Sequence, residues 1–196
     1  SRVSGLPFSV LEYGADPTGV ADSTVAIQAA INAANTAGGG CVYFPAGLYL
    51  AGTTTNITMQ SNVSLVGVGA ASKIKLANNT PILASTSLFL SLNKSNIEVA
   101  NLYFDGNRAN QVNLVGLFRI QNSSKIIIRN SWLVNCNNVG VYFTSTCTFC
   151  AANQNIIVDC NGTNLKIGTD CTDIVFDGNL MYDTGTYTNH SDGFLM

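Results

Sequence analysis

Apolar and polar positions change rhythm at about residue 50. The chain opens on a short apolar run, Phe8 to Leu11, and a turn-rich stretch, Gly14-Ala15-Asp16-Pro17-Thr18-Gly19. Val25, Ala26, Ala29, Ala30 and Ala33 then recur near helical spacing, with Ile27 and Ile31 four apart beside them. A helix over 22–37 is expected. Asp22 or Ser23 is placed to cap its first turn, and Gly38-Gly39-Gly40 to stop it in the left-handed conformation glycine tolerates. A second strand, Cys41 to Phe44, ends at Pro45-Ala46-Gly47. No comparable helix follows. One amphipathic helix ahead of a long run of strands is what a stack of strands needs at an exposed end.

Beyond residue 50 short apolar strands alternate with Asn, Ser and Gly. Asn96 to Phe104, Lys125 to Leu133 and Asp173 to Met181 share one design: a strand, a small polar bend, another strand. Asn and Gly at such bends accept the αL conformation. Cys136 and Cys160 are 24 apart, as are Cys147 and Cys171; Ile126, Cys150 and Ile174 keep that step, and so do Gly116, Gly140 and Asn164. A fixed period of this size marks a solenoid, whose coils bury their inward faces by stacking. Residues 24 apart between about 116 and 186 are expected to form ladders. Ile97 to Ile126 is 29, so the extra residues form a polar loop around Asp105 to Asn113 that contains Arg108. Variable loops on one edge of a solenoid are where sites are built.

Residues 8–50 carry a denser signal. Tyr13-Gly14-Ala15, Thr18 to Thr24, Ala26 to Ile31, Gly38-Gly39-Gly40 and Val42 to Tyr49 together resemble the N-terminal signature of the pectate-lyase-like, single-stranded right-handed β-helix proteins. The resemblance implies an all-β right-handed parallel β-helix with an N-terminal capping helix. It implies one domain over 1–196, with 1–50 as cap and first strand and 51–196 as successive coils. That family includes polysaccharide lyases, glycoside hydrolases and phage tailspikes. The function expected is binding and cleavage of a polysaccharide by hydrolysis or β-elimination, in an extracellular, cell-surface or virion setting. The alternative is a non-catalytic adhesion or structural β-helix. The register begins a further coil at Asp192 to Leu195, so the expectation is a fragment, or an edge covered by another chain, as in a homotrimer.

Composition narrows the partners. Charged residues are 10% of the chain, the net charge is −2 and the pI about 5.1, with no basic patch of the kind nucleic acid requires. No apolar run reaches the ~20 residues of a membrane helix. Neither nucleic acid nor a membrane is an expected partner.

The candidate chemistry is carboxylate-based. Asp159 and Asp183 lie 24 apart, above Asn135. Stacked one strand spacing apart, they would suit retaining glycosidic cleavage or share a Ca²⁺ ion. The competing reading is two solvated or turn-capping acids. Asp192, in Asn189-His190-Ser191-Asp192-Gly193-Phe194, falls where earlier coils carry Val115, Val139 and Thr163. This stretch loosely resembles the Asn-x-Asp-Gly motif of polygalacturonase-type hydrolases, with His190 where that motif has its Asn. His190, the only histidine, suits acid–base work or is an exposed loop residue. An elimination would draw on Arg108, Arg119, Arg129 or Lys166, Arg129 reading more simply as a structural ion pair or ladder cap in the column of Asn153 and Asp177. Tyr103 and Trp132 occupy equivalent places in successive coils and, if outward, form a sugar-stacking surface. No metal centre is expected from Cys147-Thr148-Phe149-Cys150, since no second pair or nearby His completes a site. The cysteines are expected to stack in reduced form as small hydrophobes.

Overall fold

The computed structural model describes residues 7–82, 86–182 and 191–195, the last as backbone only. The chain winds through three parallel sheets. Sheet A holds Phe8–Ser9, Gly40–Phe44, Val63–Gly67, Ser95–Ala100, Ser124–Arg129, Thr148–Asn153 and Thr172–Asp177. Sheet B holds Thr18–Asp22, Gly47–Ala51, Ser72–Leu76, Tyr103–Asp105, Trp132–Val134, Ile156–Val158 and Leu180–Tyr182. Sheet C holds Ile57–Thr58, Ser87–Leu92, Gly116–Gln121, Val141–Thr144, Thr163–Ile167 and Ser191–Leu195. Each coil visits A, B and C in turn, which makes a parallel β-helix.

Alternation explains the core. Along Ser124–Arg129, Ile126 and Ile128 are buried while Lys125 and Ile127 face solvent. The inward residues of all three sheets merge into one apolar column. Phe89 and Phe118 stack with centroids 5.2 Å apart, and Phe104 meets Phe118 edge to face at 4.8 Å.

The bends between sheets A and B are built by Asn, Gln and Gly. Asn101, Asn130, Gln154 and Gly178 all have φ between 48° and 62° at equivalent positions. The next residue in each later coil turns inward and bonds backbone. Asn155 Nδ2 donates to the Ile128 carbonyl at 2.9 Å, and Asn155 Oδ1 accepts from the Ser131 N–H at 3.1 Å.

The cap seals three edges with three devices. Phe8–Ser9 pairs with sheet A and Thr18–Asp22 with sheet B. The helix Thr24–Thr36 covers sheet C, where Gln28 donates to the Thr58 carbonyl at 3.0 Å and accepts from the Thr58 N–H at 2.7 Å. Gln28 so satisfies the backbone pair that an edge strand leaves open.

Four local expectations need correction. The first strand ends at Ser9, and Val10–Tyr13 is a 3₁₀ turn closed by Gly14 at φ 90°. Thr18 and Gly19 do not end a turn; they begin the exposed strand Thr18–Asp22, whose side chains lack the alternation that would betray it. Neither Asp22 nor Ser23 caps the helix through its side chain. Asp22 accepts from Thr24 Oγ1, and Ser23 Oγ accepts from the Asp16 N–H. The 24-residue ladder holds in sheets A and B but slips in sheet C, where Phe118 pairs with Val141 and Arg119 with Tyr142, a step of 23. Gly116 is therefore level with Val139, whose carbonyl accepts from the Leu117 N–H at 3.1 Å. The missing residue returns in the turn before Thr148, where Ser145 and Thr146 both adopt positive φ.

The cysteines are also corrected. Cys136 and Cys160 are joined by a disulfide, with Cα atoms 4.5 Å apart. Stacked residues need not stay reduced when the coil spacing itself lies within bridging reach. Cys147, Cys150 and Cys171 are free.

Candidate functional site

Two outward strips stand out, one on the outer face of sheet C and one on the outer face of sheet B. The strip on sheet C is set by alternation and by the shortened register. Phe118, Ile120, Val141, Phe143 and Leu165 point inward and are fully buried. Arg119, Tyr142 and Lys166 lie between them on the outer face, paired in register as Arg119 with Tyr142 and Tyr142 with Lys166. The Arg119 guanidinium sits 5.7 Å from the centre of the Tyr142 ring, and the Lys166 ammonium 4.8 Å from it. A phenol is thus held between two cations, each drawn to the ring face. Lys166 in turn pairs with Leu195.

The strand Ser191–Leu195 closes this strip with an irregularity. Thr163 pairs with Ser191 but Leu165 with Phe194, so one extra residue is inserted at Asp192-Gly193. Asp192 therefore does not stand level with Thr163, as expected; the bulge displaces the register by one. Bulges re-aim side chains and recur beside active sites.

The strip on sheet B carries the aromatics. Tyr103 and Trp132 are register partners with ring centroids 6.5 Å apart and planes 23° off parallel. Their neighbours Phe104 and Leu133 are fully buried, so both rings project outward. Burial pushes the Tyr103 phenol above its usual range, and the charge of Asp105 adds to this, so it stays a neutral donor. A groove of about 310 Å³ runs between these rings and Asn135, Asp159 and Tyr182. Asn135 and Asp159 both adopt αL, with φ 53° and 57°. A second hollow of about 330 Å³ adjoins it through Asn135 and is lined by Lys75, Asp105, Asn107 and Arg108.

The structure brings Tyr103, Trp132 and Asp159 to one groove. Arg108 stands next to them but is buried: it donates to Asn161 Oδ1 at 2.9 Å and to the Asp159 carbonyl at 3.3 Å. It braces the loop after Asp105 against a loop two coils on. Asp183 and His190 lie outside the described residues, and Asp192 is placed by its backbone alone. Arg129 bonds Glu98 at 2.5 Å, the structural pair expected of it. Among the described residues, three or more His, Cys, Asp or Glu side chains do not gather as metal ligands.

Tyr142 was missed by sequence reasoning. A strict step of 24 sets Arg119 opposite Phe143, an inward residue, and hides the phenol between the two cations. The signal that finds it is the alternation Val141-Tyr142-Phe143 taken independently of the period.

Three parallel sheets, αL bends and a helix sealing one end define a right-handed parallel β-helix. Residues 7–94 match the family model "Rhamnogalacturonase A/epimerase, pectate lyase-like". Mannuronan C5-epimerase AlgE6 of Azotobacter vinelandii is 40% identical over 118 residues, covering 56% of this chain and 14% of that protein. Alginate lyase 7 of the same organism is 35% identical over 114 residues, 54% of this chain and 13% of the other. The chain thus spans a small part of the length of either relative. The solved A-module of AlgE6 superposes with a TM-score of 0.69 at 26% identity, covering 88% of this chain and 55% of that one.

Proposed function

We propose that the chain binds an acidic, uronate-bearing polysaccharide across the outer face of sheet C and activates the proton on the carbon next to a uronate carboxylate. The single observation behind this reading is the Tyr142 phenol between Arg119 and Lys166. Two cations neutralise a carboxylate, and a neutralised carboxylate makes the neighbouring C–H more acidic. A phenol between them is placed to take part in the proton transfer. Return of the proton to the other face inverts the carbon. Loss of the 4-linked oxygen instead breaks the chain by β-elimination. The names of the two relatives, a mannuronan epimerase and an alginate lyase, support the substrate class.

Hydrolysis rests on Asp159 with Asp183 and on Asp192 with His190, and draws no comparable support from the described residues. A Ca²⁺ role draws none either, since among the described residues no cluster of three or more His, Cys, Asp or Glu assembles. The Cys136–Cys160 disulfide supports a working place outside a reducing cytosol, at a cell surface, on a virion or in the medium. Among the described residues no helix is long and apolar enough to cross a membrane.

The test is binding of polymannuronate and of a neutral glucan, each at two salt concentrations. The uronate polymer is expected to bind with marked salt dependence, and R119Q or K166Q to weaken it about tenfold, the loss of one well-placed charge contact. Equal binding of the neutral polymer, unaltered in both variants, would leave the reading without support.

A further inference from the structure

The outer face of sheet B has features that the sheet C chemistry does not use. Its outward column runs Lys73, Tyr103, Trp132, Ile156, Leu180 through successive coils, one strand spacing per step. The Lys73 ammonium lies 5.1 Å from the centre of the Tyr103 ring. Lys75 stands beside it in the next outward column, level with Asp105. One end of the strip is therefore cationic, and its middle is a pair of nearly parallel rings. Hollows of about 310 and 230 Å³ flank Trp132 on its two sides. Asn130 and Gln154 rim one of them, Asn135 and Tyr182 the other. Leu180 remains 54% exposed at the far end, so the apolar run is open to solvent.

This combination fits one kind of occupant. Aromatic rings at successive coils offer flat apolar surface with polar groups alongside, which matches the C–H faces and hydroxyl rims of pyranose rings. Lysines at one end match carboxylates on the same polymer. We propose that sheet B is a second glycan-docking strip, separate from the sheet C site, on which a run of polyuronate lies along the solenoid axis. Tyr103 and Trp132 stack sugar faces, and Lys73 and Lys75 take carboxylates. The strip does no chemistry; it holds the polymer on the protein while another stretch of it reaches sheet C. The choice of a polyuronate rests on the function proposed above, whereas the docking strip itself rests on Tyr103, Trp132 and the two lysines.

Trp132 is the only tryptophan in the 196 residues, so its fluorescence reports on this strip alone. The full chain is titrated with a polymannuronate oligosaccharide and, separately, with a neutral glucan oligosaccharide of equal length, with calorimetry in parallel. The expected result is a saturable change in Trp132 emission with the uronate oligomer. Y103A should weaken that response about fivefold, and K73Q with K75Q about tenfold. R119Q and K166Q should leave the fluorescence response unchanged while lowering total binding. Y103F, which keeps the ring, should retain the response and so separates stacking from damage to the fold. Calorimetric binding that depends on Arg119 and Lys166 with no Trp132 response would overturn the docking strip and leave the sheet C reading standing. An equal response to the neutral oligomer, insensitive to the lysine variants, would overturn the polyuronate as occupant. No binding by either method would overturn both proposals.

Discussion

Arg108 reaches across two coils to Asn161, its guanidinium donating to the Asn161 side-chain oxygen at 2.9 Å. A long loop on the edge between sheets B and C is thereby fastened to the loop after Asp159. The backbone carbonyl of Asp159 accepts from the same guanidinium. R108A should destabilise the protein by about 1–3 kcal/mol, since it leaves buried acceptors without their donor. Chemical denaturation measures this. R108K should recover little of the loss, because an ammonium cannot present two donors in the fixed fork of a guanidinium.

The disulfide lies on the same edge. C136S with C160S should lower stability by about 2–4 kcal/mol, the usual contribution of a bridge that closes a loop of this size. Thermal melts with and without a reductant should reproduce the difference in the unmutated chain, and a reductant should have no effect on the double variant.

The polar bends give a third expectation. Asn155 is 1% exposed and bonds the Ile128 carbonyl, the Ser131 N–H and Asn179. N155A should cost about 2–4 kcal/mol by stranding several buried groups at once. N155L should cost at least as much, because apolar bulk satisfies none of them. A denaturant midpoint close to that of the parent in either variant would contradict the bond network drawn here.

Asp16 yields a pH prediction. Its carboxylate accepts from the Thr18 hydroxyl and from the N–H groups of Ala21, Thr18 and Val20. The Thr18 hydroxyl bond, foremost, and the backbone bonds hold its pKa at about 2, below the ordinary 3.8. A lowered carboxylate pKa contributes stability that is complete above the unfolded value and fades as pH falls through the folded one. The gap in melting temperature between the parent and D16A should be constant from pH 7 to about 4.5 and shrink between about 4 and 2. A gap independent of pH across that window would show that Asp16 acts through its shape and not its charge.

Much of the fold was legible because its signals are local. The helix Thr24–Thr36 follows from an alanine-rich face, and the stop at Gly38 to Gly40 from three positive φ values of 91°, 126° and 151°. The coil period is written in Trp132, Ile156 and Leu180. Two things were not legible. Thr18–Asp22 is a strand only because Gly47–Ala51 offers it an edge, a tertiary cause with no mark in its own side chains. The sheet C site was hidden by a single residue. The period of 24 is an average over the coil, and one turn lengthened at Ser145 and Thr146 while the strand before it shortened its step to 23. A one-residue slip exchanges the inner and outer faces of a strand, so a period of 24 carried on from Arg119 lands on the inward Phe143 and passes over Tyr142. Tyr103 and Trp132 could be paired from sequence, but their outward direction needed the burial of Phe104 and Leu133.

The central claim is that Tyr142, held between Arg119 and Lys166, takes part in moving the proton next to a uronate carboxylate. The most direct measurement is incubation of the chain with polymannuronate in D₂O, followed by NMR of the sugar C5 position and absorbance of unsaturated uronate ends. The account predicts deuterium at C5 where the proton returns, or unsaturated uronate ends where the 4-linked oxygen leaves, and loss of either product by a factor of about 10² or more in Y142F with binding retained. Either product forming equally in the parent and in Y142F, or polymer bound by the parent with C5 left fully protonated and no unsaturated ends formed, would contradict it.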